Sequence, residues 1–335
     1  MPVNAVNNPT ITDVLSYLPK NSGPFMMIEA LNFASQFWDD ITFIEANNGT
    51  HHDASVRTGL PSGTWRALYE GVDPSRSSHV NVSDKSGQLT DYSVVDKTLY
   101  DQMGDKRMAW RASEDSAFYE GMMQNVLKTV FYGDVADSAR AFTGLSNRFN
   151  TVNANTPTSE NVIDAGGTGS TNASIWLVGW SPRTVALFYP KGKSGGLVTD
   201  NRGQQTVKDK NGRSYEAMVT YFEINVGLSV QDWTSVVRIA NIDVTLLRAD
   251  RTTGADLPSL MDQAADLISD IDSSARPVWY MTRRVRSMLR SQVENKSGYT
   301  MKTEDFYNNN RKVLTYAGFP IRALKTLLNT EVRVV

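Results

Sequence analysis

The chain of 335 residues contains no cysteine, only three histidines and almost no net charge. Without cysteine it can form no disulfide framework, thiolate zinc site, iron–sulfur cluster or cysteine nucleophile. Its 34 Lys and Arg nearly balance its 36 Asp and Glu, which argues against a surface built to coat DNA. Composition therefore excludes several classes of site but selects no function.

Long apolar runs are also absent. The longest stretches, Ile175–Trp180 and Thr184–Tyr189, are far shorter than the roughly 18–20 residues needed to span a bilayer. Met1–Pro9 has neither the basic nor the apolar region of a signal peptide. Hydrophobic residues still make up 40% of the chain, enough for a core. We expect a soluble, intracellular, globular protein without membrane contact, and a prior of about 150 residues per domain suggests roughly two domains.

The near-neutral net charge is the sum of segments that carry opposite charges. Residues 276–302 carry seven bases and one acid, whereas residues 248–275 carry two bases and six aspartates, and residues 1–48 carry one base and five acids. The basic segment includes a predicted helix with arginines at 283, 284, 286 and 290. Three interpretations stay open for this helix: a solvated face, pairing with an acidic segment of another copy, or contact with phosphate.

Three segments have the periodicity of amphipathic helices. Residues 113–133 form the clearest one, with Ser113 as the N-cap, Glu114 and Asp115 in the first turn, and Gly133 as the stop. At 1.5 Å per residue it would be about 30 Å long. Residues 257–272 and the segment from Thr282 to Gly298 predict two more helices.

Other segments have strand character. The apolar runs 174–180 and 184–189, the alternating run 215–230 and the short run 277–281 predict strands, and residues 331–335 are strand-like. Glycines and prolines punctuate residues 49–112, and Thr64–Tyr69 and His79–Val82 read as short strands between them. We interpret 49–112 as a long two-stranded extension that must pack on another surface, because isolated hairpins are only marginally stable in water.

Residues 1–48 read as an N-terminal arm. Pro19 and the cluster 21–24 interrupt it, and Phe33, Phe37, Trp38 and Ile41 follow at helical spacing. Within residues 49–112, the candidates for contact with another surface are Trp65, Trp110 and Val80.

Two glycine-rich stretches invite a phosphate-binding interpretation. Gly192-Lys193-Ser194 resembles the end of a phosphate-binding loop, but that motif needs a glycine at position 187, where Leu stands. We therefore predict a surface turn. Gly166–Gly169 does not match a dinucleotide-binding pattern, so we predict a flexible connection.

The three histidines give no catalytic pattern. His51 and His52 are adjacent, so on a strand they would point to opposite faces, and we predict an exposed pair rather than a metal site. His79 has no visible partner, and no Gly-x-Ser-x-Gly elbow is present. The sequence thus predicts no catalytic residue, no cofactor and no metal ligand, with a Ser-His-Asp site assembled from distant residues as the alternative left open.

The order of these elements resembles the major capsid proteins of tailed double-stranded-DNA bacteriophages, which have the HK97-like (Johnson) fold. Particular stretches resemble those of the epsilon-15 group of short-tailed phages, namely residues 175–182, 185–192 and 279–284. The resemblance implies an α+β fold with an N-terminal arm (1–48), an extended E-loop (49–112) and a peripheral (P) domain (113–173) containing the spine helix (113–133). It further implies an axial (A) domain, with part of the P-domain sheet, over 174–300 and a C-terminal return to the P domain over 301–335.

The same resemblance implies a structural role and no enzymatic activity. Copies would assemble as hexamers and pentamers into the icosahedral head of a virion that encloses double-stranded DNA without reading its sequence. Assembly would occur in the host bacterial cytoplasm, with a small decoration or staple protein, a portal and a scaffold as partners. We expect no covalent crosslink between Lys85, Lys97 or Lys106 and Asn308–Asn310. The residues predicted to lie at contacts between copies are Trp65, Arg66, Trp110, Asp39, Asp40, Arg283, Arg284, Arg286 and Arg290.

Three alternatives remain at this point. An encapsulin-like shell shares the fold but encloses protein cargo, an intracellular hydrolase would use a scattered site, and a phage tail or adhesin component would form tubes or trimers.

Overall fold

The computed structural model describes residues 35–152, 156–193, 195–247, 254–268, 274–294, 302–305 and 312–335. Helices and strands are mixed along the chain, as the α+β prediction requires. The helices are α1 (Ser35–Trp38), α2 (Lys97–Gln102), α3 (Arg107–Tyr132), α4 (Leu145–Arg148), α5 (Leu257–Leu267) and α6 (Arg283–Glu294). The strands are β1 (Phe43–Glu45), β2 (His51–Gly59), β3 (Ser78–Lys85), β4 (Gly87–Asp96), β5 (Val162–Asp164), β6 (Asn172–Trp180), β7 (Val185–Tyr189), β8 (Leu197–Lys208), β9 (Ser214–Val230), β10 (Val236–Asp243), β11 (Arg276–Met281), β12 (Lys302–Asp305), β13 (Lys312–Tyr316) and β14 (Phe319–Ala323).

The chain divides into two compact units. The described part of the first consists of Gln88–Leu127 and residues 195–225, and that of the second lies within Ser35–Gly87, Lys128–Lys193 and Val226–Val335. In the first unit β8 and β9 form an antiparallel hairpin. A backbone hydrogen bond from Asp209 N–H to Arg213 O closes its turn, which confirms the turn predicted at 210–213.

The core of the second unit is a sheet centred on β6. Strands β10 and β11 pair with β6 antiparallel, β14 pairs with β11 parallel, and β7 pairs with the end of β9. All nine residues of β6 are buried, which suits a strand covered on both faces. Helices α5 and α6 pack on this core through a shared set of apolar side chains: Leu257, Met261, Ala264, Val285, Leu289 and Val293. The strands predicted at 174–180, 184–189, 215–230 and 277–281 are therefore confirmed.

The long helix begins six residues earlier than predicted. Helix α3 starts at Arg107, so Ser113 is an interior residue and does not cap it. Asp115 instead lies one turn after Arg111, and its Oδ1 is 3.3 Å from Arg111 Nε. The predicted stop is confirmed, since the helix ends at Tyr132 and Gly133 N–H donates to Thr129 O. At 1.5 Å per residue, the 26 residues of α3 span about 39 Å.

The stretch 49–112 is only partly a hairpin. Strands β2 and β3 pair antiparallel as predicted, but residues 64–69 form no strand and residues 97–102 and 107–112 are helical.

Ile41 lies beyond the end of α1, so the helical spacing predicted through it is wrong. The remainder of the predicted arm, residues 1–34, lies outside the described residues.

Helix α5 ends at Leu267 rather than at residue 272, so that predicted end is wrong by a few residues. Helix α6 is described as far as Glu294, and its predicted end at Gly298 lies outside the described residues. Thr282 caps α6 as predicted, because its Oγ1 accepts a hydrogen bond from Val285 N–H at 3.3 Å. In the described ranges no helix is both long and apolar enough to cross a membrane.

Gly227 allows a close approach in the second unit. It lies on β9 opposite Phe188 of β7, where a Cβ would overlap the Phe188 ring and fall 2.9 Å from the carbonyl oxygen of Lys85. We expect Gly227→Ala to lower the free energy of unfolding by about 1–3 kcal/mol, as overpacking does. Urea unfolding of the unassembled chain measures this.

Gly121 supplies the matched control for that measurement. It is exposed in α3, and no heavy atom lies within 4 Å of a Cβ built on it. Gly121→Ala should therefore stabilise the chain by about 0.5–1 kcal/mol, the helix-propensity gain. Equal effects of the two substitutions would contradict a special packing role for Gly227.

Candidate assembly surfaces

The segment between β2 and β3, residues 60–77, exposes large apolar side chains; we call it the exposed loop. Trp65 and Tyr69 have relative exposures of 102%, Leu68 of 88% and Leu60 of 78%. Contiguous exposed apolar surface of this kind marks interaction sites in folded proteins. The loop thus has the composition of a contact surface, and the described residues leave it exposed.

Arg66 shapes a turn within the exposed loop. Its Nη1 donates to Glu70 O at 3.0 Å, and Glu70 Oε2 accepts from Ala67 N–H at 3.1 Å. Tyr69 has a left-handed backbone (φ 72°), a conformation that non-glycine residues seldom adopt. Arg66 therefore stabilises the backbone of this turn and is itself exposed.

The strands that carry this loop are fixed at their other end. Asp84 of β3 is buried, and its Oδ1 accepts from Arg148 Nη2 at 2.6 Å. The same nitrogen lies 3.2 Å from Leu228 O on β9. Ser86 Oγ donates to Thr50 O at 2.9 Å and closes the base of the hairpin. The hairpin is thus tied to the core of its unit at its base.

The adjacent histidines begin β2 and are half-buried, so the prediction of an exposed pair is wrong. The His52 ring packs 5.7 Å from the Phe188 ring, and its Nε2 lies 3.2 Å from Gln231 Nε2. Among the described residues, no three histidine or acidic side chains are grouped to hold a metal ion.

The predicted turn at Gly192 is confirmed, and Gly192 N–H donates to Glu45 Oε1 at 2.9 Å.

Trp110 is not a contact between copies, which corrects the prediction. Its side chain is fully buried in the first unit against Val95 and Leu99, with Tyr100 and Met103 packed around them. The early start of α3 explains the error, because it places residue 110 on the inner face of a helix rather than in a hairpin.

Asp40 is also an internal residue. Its two carboxylate oxygens accept from Arg322 Nε at 2.7 Å and from Arg322 Nη2 at 2.8 Å, a bidentate pair. These bonds raise the pKa of Arg322. The predicted pairing of Asp40 with another copy is therefore wrong, whereas the neighbouring Asp39 is exposed and stays a candidate.

Replacing Asp40 by asparagine tests this reassignment. We expect Asp40→Asn to lower the free energy of unfolding by about 1–3 kcal/mol, because Arg322 loses its charged partner in a buried site. Asp39→Asn, next to it but exposed, should have almost no effect on unfolding. A larger effect of Asp39→Asn than of Asp40→Asn on urea unfolding would contradict the assignment.

Helix α6 carries the four predicted arginines. Val285 and Leu289 face the core, and Arg283, Arg286 and Arg290, at positions i, i+3 and i+7, lie along a neighbouring face, with Arg286 half-buried. We call these three residues the arginine face. Arg284 lies off it and donates through Nη2 to Val244 O at 3.1 Å. Partial burial, and then the charges of Arg283 and Arg290, lower the pKa of Arg286.

The sequence analysis did not predict a buried cluster of charged and polar side chains. Arg238 Nη2 lies 2.8 Å from Glu331 Oε2, and Tyr132 OH donates to Glu331 Oε1 at 2.6 Å. Burial, the Glu331 charge and this hydrogen bond raise the pKa of Tyr132. The three residues are far apart in sequence, so no local spacing could have identified them.

A scan against protein-family models matches residues 20–335 to the model described as major capsid protein GP7. A search of curated proteins returned no match.

Solved structures give further likenesses. A chain in the near-atomic-resolution structure of bacteriophage epsilon15 is similar to this one with a TM-score of 0.77 and 28% identity, covering 100% of this chain and 99% of that one. The bacteriophage JBD30 capsid gives a TM-score of 0.47 and 11% identity over 83% of this chain and 88% of that one. The SrpI encapsulin of Synechococcus elongatus gives 0.44 and 10%, over 71% and 98%. The epsilon15 likeness confirms the predicted HK97-like fold.

Proposed function

This chain belongs to the major capsid protein GP7 family, and we propose that its copies assemble as pentamers and hexamers around double-stranded DNA. It is a structural component of a virion and not an enzyme. Its copies form an icosahedral shell.

The exposure of aromatic side chains in the exposed loop is the observation that supports the proposed contact between copies. In the part of the chain that the structure describes, the side chains of Trp65 and Tyr69 are fully exposed. Burying an aromatic side chain at an interface contributes a large part of the affinity of many complexes. In the proposed assembly, the E-loop of one copy lies across a neighbouring copy, whose surface covers these rings.

Further parts of the assignment rest on the resemblance. We assign the arm to 1–48, the E-loop to 49–112, the P domain to 113–173, the A domain to 174–300 and the C-terminal return to 301–335. Contacts between copies then involve Trp65, Arg66, Asp39 and the arginines of α6. A decoration or staple protein, a portal and a scaffold are the proposed partners, assembly is proposed to occur in the host bacterial cytoplasm, and the shell is proposed to hold without covalent crosslinks.

Expression of the full chain followed by sedimentation and negative-stain microscopy tests the proposal. We expect closed shells sedimenting far faster than the 37.2 kDa monomer. A monomer or dimer, or the formation of tubes or trimers, would contradict the proposed assembly. Shells from infected cells should hold nuclease-protected double-stranded DNA, whereas enclosed protein cargo would favour an encapsulin.

A further inference from the structure

One rung of the β2–β3 ladder, the facing pair His52 and Asp84, ties both strands of the hairpin to the end of β9. Asp84 reaches β9 through Arg148, whose Nη2 contacts both the carboxylate and Leu228 O. His52 reaches the residue after β9 directly, since its Nε2 lies 3.2 Å from Gln231 Nε2. The hairpin is thus held on both of its strands at the same level.

Beyond this rung the hairpin is not supported by the core. No residue from 53 to 83 is buried. In the described structure, the hydrogen bonds of residues 54–82 stay within the hairpin and its loop. Asp53, next to the rung, bonds back to Asn47 in the turn that precedes β2. The direction of the hairpin therefore depends on contacts at its base.

The length of the hairpin amplifies any rotation at the rung. Gly59 ends β2 seven residues after His52, a distance of about 23 Å at the rise of a strand. A rotation of about 10° at the rung would move that end by about 4 Å. The contact proposed for Trp65 and Tyr69 leaves no room for such a displacement, because the cores of interfaces are packed as densely as protein interiors.

The hydrogen bonds around His52 give it the role of an acceptor. Gln231 Nε2 also donates to Pro182 O at 3.2 Å, which fixes this nitrogen as a donor, so His52 Nε2 accepts from it. The ring proton then lies on Nδ1, which is buried and has no hydrogen-bond partner among the described residues. The opposite face of the contact is apolar, because the His52 ring packs 5.7 Å from the Phe188 ring.

We propose that His52 is a positioning residue for assembly: by accepting from Gln231 it fixes the direction in which the hairpin carries the exposed loop toward a neighbouring copy. This inference rests on the proposed function, since it assigns a residue to the contact proposed there. A loop presented in one direction loses less entropy on binding than a loop that samples many. His51 takes no part, because adjacent residues of a strand point to opposite faces and its Nδ1 lies 2.9 Å from Thr50 Oγ1.

Distances between two spin labels test the positioning. The chain contains no cysteine, so Ser62→Cys in the exposed loop and Arg183→Cys between β6 and β7, both exposed positions, give two unique attachment sites. Double electron–electron resonance on the unassembled chain should give one narrow distance distribution. His52→Leu should broaden it by several ångströms. The midpoint of urea unfolding should not shift, because the hairpin beyond the rung buries no residue.

Three further variants separate the acceptor from a merely structural role. His52→Gln is conservative, because its Oε1 can accept from Gln231 Nε2 in place of the ring nitrogen. It should keep the narrow distribution and a shell yield near wild type, whereas His52→Leu should lower the yield several-fold. Gln231→Leu removes the same bond from the other side and should broaden the distribution as His52→Leu does. His51→Leu is the matched control and should change neither measurement.

Several results would overturn the inference. One is a distribution as narrow in His52→Leu as in wild type, and another is equal broadening by His52→Gln or His51→Leu. Broadening without any loss of shell yield would overturn the role in assembly. Wild-type chain that never forms shells would overturn the proposed function, whereas wild-type shells together with an unaffected His52→Leu variant overturn only the role of His52.

Discussion

Arg238→Met is expected to lower the free energy of unfolding by about 3–5 kcal/mol, because it leaves the Glu331 carboxylate buried without its cation. Glu331 is 7% exposed and Arg238 is 3% exposed. Arg238 also donates through Nη1 to Phe149 O at 2.7 Å, and its guanidinium lies 4.8 Å from the centre of the Trp176 ring. One substitution therefore breaks an ion pair, a backbone tie and a cation–π contact.

The paired variant Arg238→Met/Glu331→Leu separates these contributions. Removing both charges abolishes the desolvation cost along with the attraction, so the double variant should be more stable than Arg238→Met alone. Exposed Arg213→Met is the control and should change unfolding by less than about 0.5 kcal/mol. Urea unfolding that shows Arg238→Met within about 1 kcal/mol of wild type would contradict a structural role for the cluster.

The double substitution Trp65→Ser/Tyr69→Ser is expected to abolish shell formation while leaving the unfolding of the single chain unchanged. Interface aromatics that act as hot spots contribute about 2 kcal/mol or more each, so two of them weaken each contact roughly 10³-fold. Both side chains are fully exposed in their own chain, so their removal costs the fold nothing.

Sedimentation of the expressed variant measures the loss of shells, and circular dichroism during urea unfolding measures the stability of the chain. Tyr119→Ser, at a ring that is 46% exposed on α3, is the control and should reduce shell yield far less. Normal shells from the Trp65→Ser/Tyr69→Ser variant would contradict the placement of the exposed loop across a neighbouring copy.

The central strands could be predicted from sequence because their signal is local. Residues 174–180 and 184–189 are apolar runs between turn residues, and the alternation of 215–230 identifies β9. The start of α3 could not be predicted as well, since Ser113 with two following acids imitates a helix N-terminus although the helix has already begun at Arg107. Asp115, which the capping pattern assigns to the first turn, instead pairs with Arg111 one turn earlier in the same helix.

The contact surfaces were only partly predictable. An exposed aromatic such as Trp65 and a buried one such as Trp110 look alike in sequence, because only tertiary packing distinguishes them. The internal pairing of Asp40 with Arg322 was equally hidden, since the two residues are 282 positions apart. The arginines of α6 were recognisable because their clustering is itself a local pattern.

That separation of 282 positions between Asp40 and Arg322 has a kinetic consequence. At about 5–20 residues per second, a ribosome needs roughly 14–56 s to make the intervening chain. Until then the carboxylate has no partner, and contacts between such distant segments form slowly because a long loop must close first. We expect a newly synthesised subunit to lack this buried ion pair throughout the interval. The rate of translation therefore sets the earliest moment at which the subunit can join a growing head.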